Sequence, residues 1–305
     1  MKPKITPVFF LCSLLILSCI PGQKSGSTID ASKPLIALSI LPQKYFAERI
    51  GGEFIETLVL AGPNQNPHNY EPNPRVLQDL AGAKAWVLSG IEFEIALEPR
   101  IWNLFPALQI IDGTFGIHFR SLEAHDHDDD DDDDDHHHLH DHEIDRHTWL
   151  GQEGAEIMSL HIKNTLCAID PVNSVFYEEN YKLLISDIRA EFNRLRNELE
   201  SLRGTSVLVY HPAFGYFLDE FGIIQEAVES GGKEPTPRVL AEIVEKAKDW
   251  DVKVIFVQAQ FPVESAGTVA DATGAELVIL DPLAQDWMEN IRLMGEILKG
   301  AALRE

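Results

Sequence analysis

From Pro34 onward the chain alternates short apolar runs, rich in β-branched residues, with longer amphipathic stretches. Pro34–Ile40, Phe54–Leu60, Ala85–Ser89 and Leu108–Asp112 read as strands, and helical patterns begin between them near Pro42, Pro74 and Phe93. Pro42 and Pro74 stand where a first-turn proline is tolerated, and Asn73 is placed to cap the second of these helices. After residue 203 the same grammar returns. Ser206–Tyr210, Ile223–Val228, Val252–Gln258 and Glu276–Leu280 are predicted strands, and helices are predicted over Ala213–Phe221, Pro237–Trp250, Val263–Thr273 and Gln285–Gly300. Strands that alternate with helices need crossover connections, so the pattern predicts an α/β protein of two similar lobes, each a parallel sheet covered on both faces.

Between the two halves, Pro171 to Arg203 has no glycine, and Val175, Phe176, Leu183, Leu184, Ile188, Phe192, Leu195 and Leu199 recur at helical spacing. Asp170-Pro171 reads as a start and Gly204 as a stop. About 30 residues at 1.5 Å each give one rigid helix of roughly 45 Å joining the lobes. The expected organisation is an N-terminal lobe over 34–169, a linking helix over 170–203 and a C-terminal lobe over 204–305.

The first residues follow a different pattern. Lys2 and Lys4 precede an apolar run from Ile5 to Leu17, too short to span a bilayer and typical of a signal peptide, here residues 1–18. Ile16-Leu17-Ser18-Cys19 resembles a bacterial lipobox, which makes Cys19 the expected lipid-bearing residue. Plain secretion is the alternative. Residues 19–33, with Pro21-Gly22-Gln23-Lys24-Ser25-Gly26-Ser27-Thr28, have the composition of a flexible tether. A lipid there anchors the folded part at a membrane without burying it. Of the three cysteines only Cys167 then belongs to the folded part, so no internal disulfide and no thiolate metal site is expected.

The 305 residues carry 49 acidic and 25 basic side chains, a formal net charge of −24. Such a field repels polyanions and excludes nucleic acid as a partner. The charge is concentrated, however. Between His125 and Asp145 stand eleven Asp and one Glu with no Lys or Arg, half the formal charge in 21 residues. The same window holds His125, His127, His136, His137, His138, His140 and His142. Eight consecutive Asp repel one another, so this loop, residues 124–145, is expected to be disordered when free. Clustered His and Asp bind Zn²⁺ weakly, which suggests an auxiliary capture or sensing loop; the alternative is a merely solvating segment.

Five histidines remain once the loop is set aside: His68, His118, His147, His161 and His211. His68 lies in the turn-rich Asn66-Pro67-His68-Asn69-Tyr70-Glu71-Pro72 after the second strand, and His147 stands where the acidic loop ends and a helix starts. His211 is the first residue past the strand ending at Tyr210, and Asp281 the first past the strand ending at Leu280. In open α/β sheets ligands bind at the carboxyl ends of strands, so two groups from each lobe are expected to converge on the interlobe cleft. Three imidazoles and one carboxylate form a four-coordinate set suited to Zn²⁺, with bonds of about 2.0–2.2 Å. Mn²⁺ favours more oxygen. His118 and His161 lack such settings and read as a surface and a helix-face residue. Glu234 and Arg238, near a strand-to-helix transition, read either as a helix-end ion pair or as cleft-wall charges.

These segments, together with His147-Thr148-Trp149-Leu150, His211–Phe217, Glu234-Pro235-Thr236-Pro237 and Phe256-Val257-Gln258 with Leu280–Leu283, resemble the solute-binding lipoproteins of metal ABC importers. The resemblance is to the ZnuA-like zinc branch of a cluster that also holds manganese and iron binders. It implies two α/β lobes bridged by a rigid helix and metal ligands at His68, His147 and His211. A carboxylate or water completes the set. Pro67 stands where some relatives bear a glutamate, which leaves Asp281, Glu71 or solvent for the fourth position. The resemblance further implies a monomeric zinc carrier outside the cytoplasmic membrane, periplasmic or at the cell surface, that passes its cargo to an ABC permease. The chain has no HExxH, nucleophile elbow or glycine-rich phosphate loop that points to an enzyme. A manganese or iron homologue, or an adhesin with structural zinc, are the other readings.

Overall fold

A computed structural model describes residues 32–122, 144–229, 236–250, 252–258 and 264–302. The signal segment, Cys19, most of the tether, the seven loop histidines and Glu234 lie outside the described residues.

The N-terminal lobe runs β1 (Leu35–Leu38), α1 (Leu41–Gly51), β2 (Glu56–Val59), α2 (Pro74–Leu80), β3 (Ala85–Leu88), α3 (Glu92–Leu104) and β4 (Gln109–Asp112). Two long helices follow, α4 (Gln152–Ile169) and α5 (Ser174–Glu198). The C-terminal lobe contains β5 (Ser206–Val209), α6 (Gly215–Asp219), β6 (Ile224–Ala227), α7 (Pro237–Asp249), β7 (Val254–Gln258), α8 (Glu264–Thr273), β8 (Glu276–Leu280) and α9 (Trp287–Ala302). Both sheets are parallel and share one strand order, β2-β1-β3-β4 and β6-β5-β7-β8. Each strand order reverses beside its first strand, which opens a crevice at the carboxyl ends of β1 and β3 and of β5 and β7. The two-lobed α/β fold expected from the pattern is present.

Local chemistry accounts for the helix starts. Asn73 Oδ1 accepts from the amides of Arg75 and Val76 at 3.0 and 3.1 Å, with Pro74 in the first turn of α2. Thr236 caps α7 in the same manner, its hydroxyl accepting from Val239 N at 3.4 Å. Arg238, one of the two candidate cleft charges, pairs instead with Glu242 one turn along α7.

The linking helix is shorter than the apolar periodicity predicts. Asp170 departs from helical geometry (φ −143°, ψ 71°), and Pro171–Asn173 form a 3-10 turn, so α5 proper begins at Ser174. At the other end Leu199 leaves helical geometry and Glu200–Leu202 form a second 3-10 turn. Twenty-five residues at 1.5 Å make α5 about 37 Å long. The apolar pattern runs on through the end turns because they pack on the same core: Leu199 is buried.

One continuous apolar cluster runs through both lobes, from Leu38 and Trp86 of the first sheet to Phe214 and Phe256 of the second. Phe192 of α5 lies at its middle, stacked on Phe221 at 6.2 Å and 6.4 Å from the rings of Phe217 and Trp287. Phe192→Ala should therefore lower the free energy of unfolding by about 3–5 kcal/mol, read from urea denaturation. Two buried indoles tie the lobes by hydrogen bonds as well. Trp149 Nε1 donates to the Pro282 carbonyl at 2.8 Å and Trp287 Nε1 to the Trp149 carbonyl at 2.7 Å.

A buried carboxyl, Glu94, closes the amino end of α3. Its oxygens accept from Ser89 N, Ser89 Oγ and Gly90 N at 2.7–2.8 Å. Burial outweighs these bonds and pushes its pKa up to about 7 from 4.5. The folded state thus holds a proton that the unfolded state gives up. The resulting stability is fully present below pH 4.5 and lost as pH rises through 7. Relative to Glu94→Gln, the wild-type chain should lose about 3 kcal/mol between pH 4 and pH 8, measured by denaturant unfolding at each pH.

Candidate metal centre

His68 follows β2 in a loop whose turn is set by Asn66 Oδ1, which accepts from the His68 amide at 3.0 Å. His147 precedes a 3-10 turn, Thr148–Leu150, that leads into α4. Gly154 in the first turns of α4 packs so closely on that turn that an added Cβ would lie 1.9 Å from the Thr148 carbonyl oxygen. His211 stands just past β5. The Gln258 side chain at the end of β7 clamps its backbone, donating to His211 O at 2.7 Å and accepting from His211 N at 3.3 Å.

These three histidines converge although they lie far apart in the chain. Their ring centroids form a nearly equilateral triangle, with sides of 5.2, 4.9 and 5.2 Å. One ligand nitrogen from each lies within 4.8 Å of the others, which is the one such group of three among the described residues. A tetrahedral zinc site needs nitrogens about 3.3 Å apart, so small rotations of the rings close it around an ion. The rings line a cavity of about 20 Å³ at the interlobe cleft, bordered also by Trp149, Pro282 and Leu283. That is room for one particle the size of a water molecule.

Each imidazole is held from behind by a carboxylate. His68 Nδ1 lies 2.8 Å from Glu92 Oε2, His147 Nδ1 2.8 Å from Asp145 Oδ1, and His211 Nδ1 2.5 Å from Glu229 Oε1. With every Nδ1 engaged, the Nε2 atoms are the nitrogens left to face an ion. A carboxylate behind the ring fixes its tautomer and raises its basicity, which is the usual outer shell of a zinc-binding histidine. Asp145 and Glu229 are almost wholly buried, at 0% and 3% exposure. Burial alone would raise the Glu92 carboxyl, but the bond and charge of His68 overcome it and hold Glu92 at about 2. His147 likewise overrides burial at Asp145, whose pKa is lowered. Burial lowers the pKa of His211, assisted by repulsion from His147 and His68 and opposed by Glu229, so its neutral, metal-binding form is favoured. A carboxylate behind each ring makes the cavity suited to a divalent cation.

Of the four ligand candidates, the structure gathers His68, His147 and His211 and leaves Asp281 outside the group. The Asp281 carboxylate accepts from its own turn, Leu283 N at 3.0 Å, and the loop presents Pro282 and Leu283 to the cavity instead. Glu71 is exposed and also outside the group. His118 is 89% exposed and pairs with Glu153, and His161 on α4 contacts the Phe115 carbonyl, as their settings predict. The sequence assigns no role to Glu92, Asp145 or Glu229, and marks Gln258 only as part of a segment that carries the family resemblance. Gln258 ends β7 and Glu229 lies two residues past β6, the same positional signal that points to His211, whereas Glu92 opens α3 and Asp145 is hidden in the charge excess of its loop.

The family described as "Zinc-uptake complex component A periplasmic", ZnuA, matches residues 36–301. The high-affinity zinc uptake system protein ZnuA of Bacillus subtilis is 27% identical over 282 residues, covering 90% of this chain and 87% of its own. A crystal structure of ZnuA superposes with a TM-score of 0.79 and 29% identity, over 88% of this chain and 98% of the other. The solute-binding protein FpvC of Pseudomonas aeruginosa in complex with Mn²⁺ has the same fold, with a TM-score of 0.72 and 22% identity over 90% of this chain and all of its own. Two parallel-sheet lobes, a three-histidine cavity between them and a family match over nearly the whole folded part place this chain in the ZnuA family, the periplasmic zinc-binding components of metal ABC importers.

Proposed function

We propose that the protein captures Zn²⁺ outside the cytoplasmic membrane through Nε2 of His68, His147 and His211 and hands it to the permease of its importer without chemical turnover. The observation that carries this reading is the backing of all three rings by carboxylates, an arrangement with a cost in desolvation that an ordinary core histidine does not need. Water takes the fourth position. For Asp281 to reach it, the bond to the Leu283 amide must be given up. Three nitrogens and one oxygen suit Zn²⁺, whereas Mn²⁺ favours an oxygen-rich set. A lipid on Cys19 keeps the monomeric carrier at the membrane. Metal analysis of gently purified protein, followed by competition between Zn²⁺ and Mn²⁺, tests the assignment. One tightly held zinc that Mn²⁺ does not displace is expected; retention of Mn²⁺ against equimolar Zn²⁺ would overturn it.

The His/Asp loop is proposed as an auxiliary, weaker zinc store. Ile144 pairs with Ser121 in an isolated antiparallel bridge, and Asp145 N donates to the Arg120 carbonyl at 3.0 Å, so the base of the loop belongs to the folded protein. A deletion that tests the loop must therefore spare Ile144 and Asp145, since Asp145 holds His147.

A further inference from the structure

Arg120 is absent from the ligand group, yet it connects that group to the opposite lobe. Its Nη1 donates to Asp145 Oδ2 at 3.0 Å. Its Nε lies 2.9 Å from Asp219 Oδ2, at the end of α6 in the C-terminal lobe. The guanidinium also faces the ring of Tyr216, with 6.0 Å to the centroid. The Tyr216 hydroxyl completes the contact, donating to Asp145 O at 2.8 Å and accepting from Arg120 N at 3.0 Å. Gly215, the first residue of α6, makes room for this: a Cβ there would lie 1.6 Å from Arg120 Nη1.

The two oxygens of Asp145 divide their work. Oδ1 accepts from the amide and faces the Nδ1 of His147, and Oδ2 accepts from Arg120. Without the guanidinium, Oδ2 of this fully buried carboxylate loses its cation, and the orientation of the carboxylate, with the His147 ring bonded to Oδ1, is held less strictly. A chain of contacts thus runs from α6 through Arg120 and Asp145 to one of the three rings.

We propose that Arg120 is a positioning residue for metal retention, fixing the His147 ring through Asp145 and making the residence time of the bound ion depend on the contact between the lobes at α6. This inference rests on the ligand set proposed above, and it assigns a role to a residue that touches no metal. Loss of an outer-shell partner typically weakens metal binding by 10–100-fold. Zinc release from Arg120→Ala to an excess of chelator should accelerate by about that factor, and the visible spectrum of its Co²⁺ complex should shift, since that spectrum reports ligand geometry. Arg120→Lys, which keeps the charge but not the forked geometry, should recover part of the loss. Gly215→Ala leaves Arg120 in the chain and displaces only its guanidinium, so it should reproduce the faster release even where Arg120→Ala folds poorly. Asp219→Asn cuts the contact at the far lobe and should speed release while leaving the Co²⁺ spectrum unchanged.

Wild-type release rates and Co²⁺ spectra in both Arg120→Ala and Gly215→Ala would overturn the proposal, and an unchanged rate in Asp219→Asn would remove the interlobe half of it. His147→Ala, measured in parallel, separates the two levels. If that variant keeps wild-type binding, the ligand set itself is wrong. If it loses tight binding while the Arg120 and Gly215 variants behave as wild type, only the positioning role fails.

Discussion

Zinc affinity of His211→Ala should fall by well over 100-fold, with the far-ultraviolet circular dichroism of the native fold retained. The bound is set by outer-shell losses, which alone reach about 100-fold; removal of a ligand from a set of three must exceed them. Retention of the fold follows from how His211 is anchored. Gln258 holds the backbone N and O of this residue, and those bonds survive truncation of the side chain. What the variant does lose is the partner of the buried Glu229 carboxylate. That costs up to about 3–5 kcal/mol, at or below the low end of the roughly 5–15 kcal/mol of a typical domain. Titration calorimetry against a competing chelator reads the affinity directly. A wild-type constant would exclude His211 from the site.

Acid should release the metal more steeply than the loss of any one ligand. Each of the three imidazoles must be neutral to bind, so protons compete at three places, and affinity can fall by up to about three decades per pH unit once all are titrating. The ordinary imidazole value is about 6.5. Burial lowers that of His211, so its share of the loss is displaced to lower pH. The Glu92 carboxylate, held at about 2, and Asp145, also held low, stay ionised through this range and keep attracting the cation. The expected profile is flat at neutral pH and bends downward below about 6.5, with the full slope reached only in more acid solution. Chelator competition at pH 7, 6 and 5 measures it. A fall of less than one decade between pH 6 and pH 5 would show that fewer than three histidines hold the ion.

Much of the architecture is legible without coordinates because it rests on short-range rules. Alternation of apolar runs with amphipathic stretches specifies parallel strands and crossover helices, and Asn73-Pro74 marks a helix start that the structure reproduces bond for bond. All the predicted strands but Glu276–Leu280 overshoot the observed ones by one to three residues, since burial and single interstrand amide bonds run on past the strand ends, as at Tyr210 and Leu60. The same overshoot lengthened the linking helix, where 3-10 turns keep apolar residues on the core without continuing the α-helix. Position at strand ends brought forward His68 and His211, and the departure of Asp281 was also locally encoded: an aspartate that opens a turn satisfies the amide two residues on.

What sequence by itself determined, then, is a two-lobed α/β carrier with histidines at the carboxyl ends of its strands, because periodicity, capping and strand-end placement act over a few residues. Only the tertiary structure decided which groups meet. The carboxylates behind His68 and His211 lie 24 and 18 residues from them in the chain, and Trp149 reaches a carbonyl 133 residues away. No pattern along the chain encodes such pairs. The carboxylates meet His68 and His211 because strands of one parallel sheet bring their carboxyl ends together, and Trp149 meets Pro282 because the shared core packs the two lobes on each other.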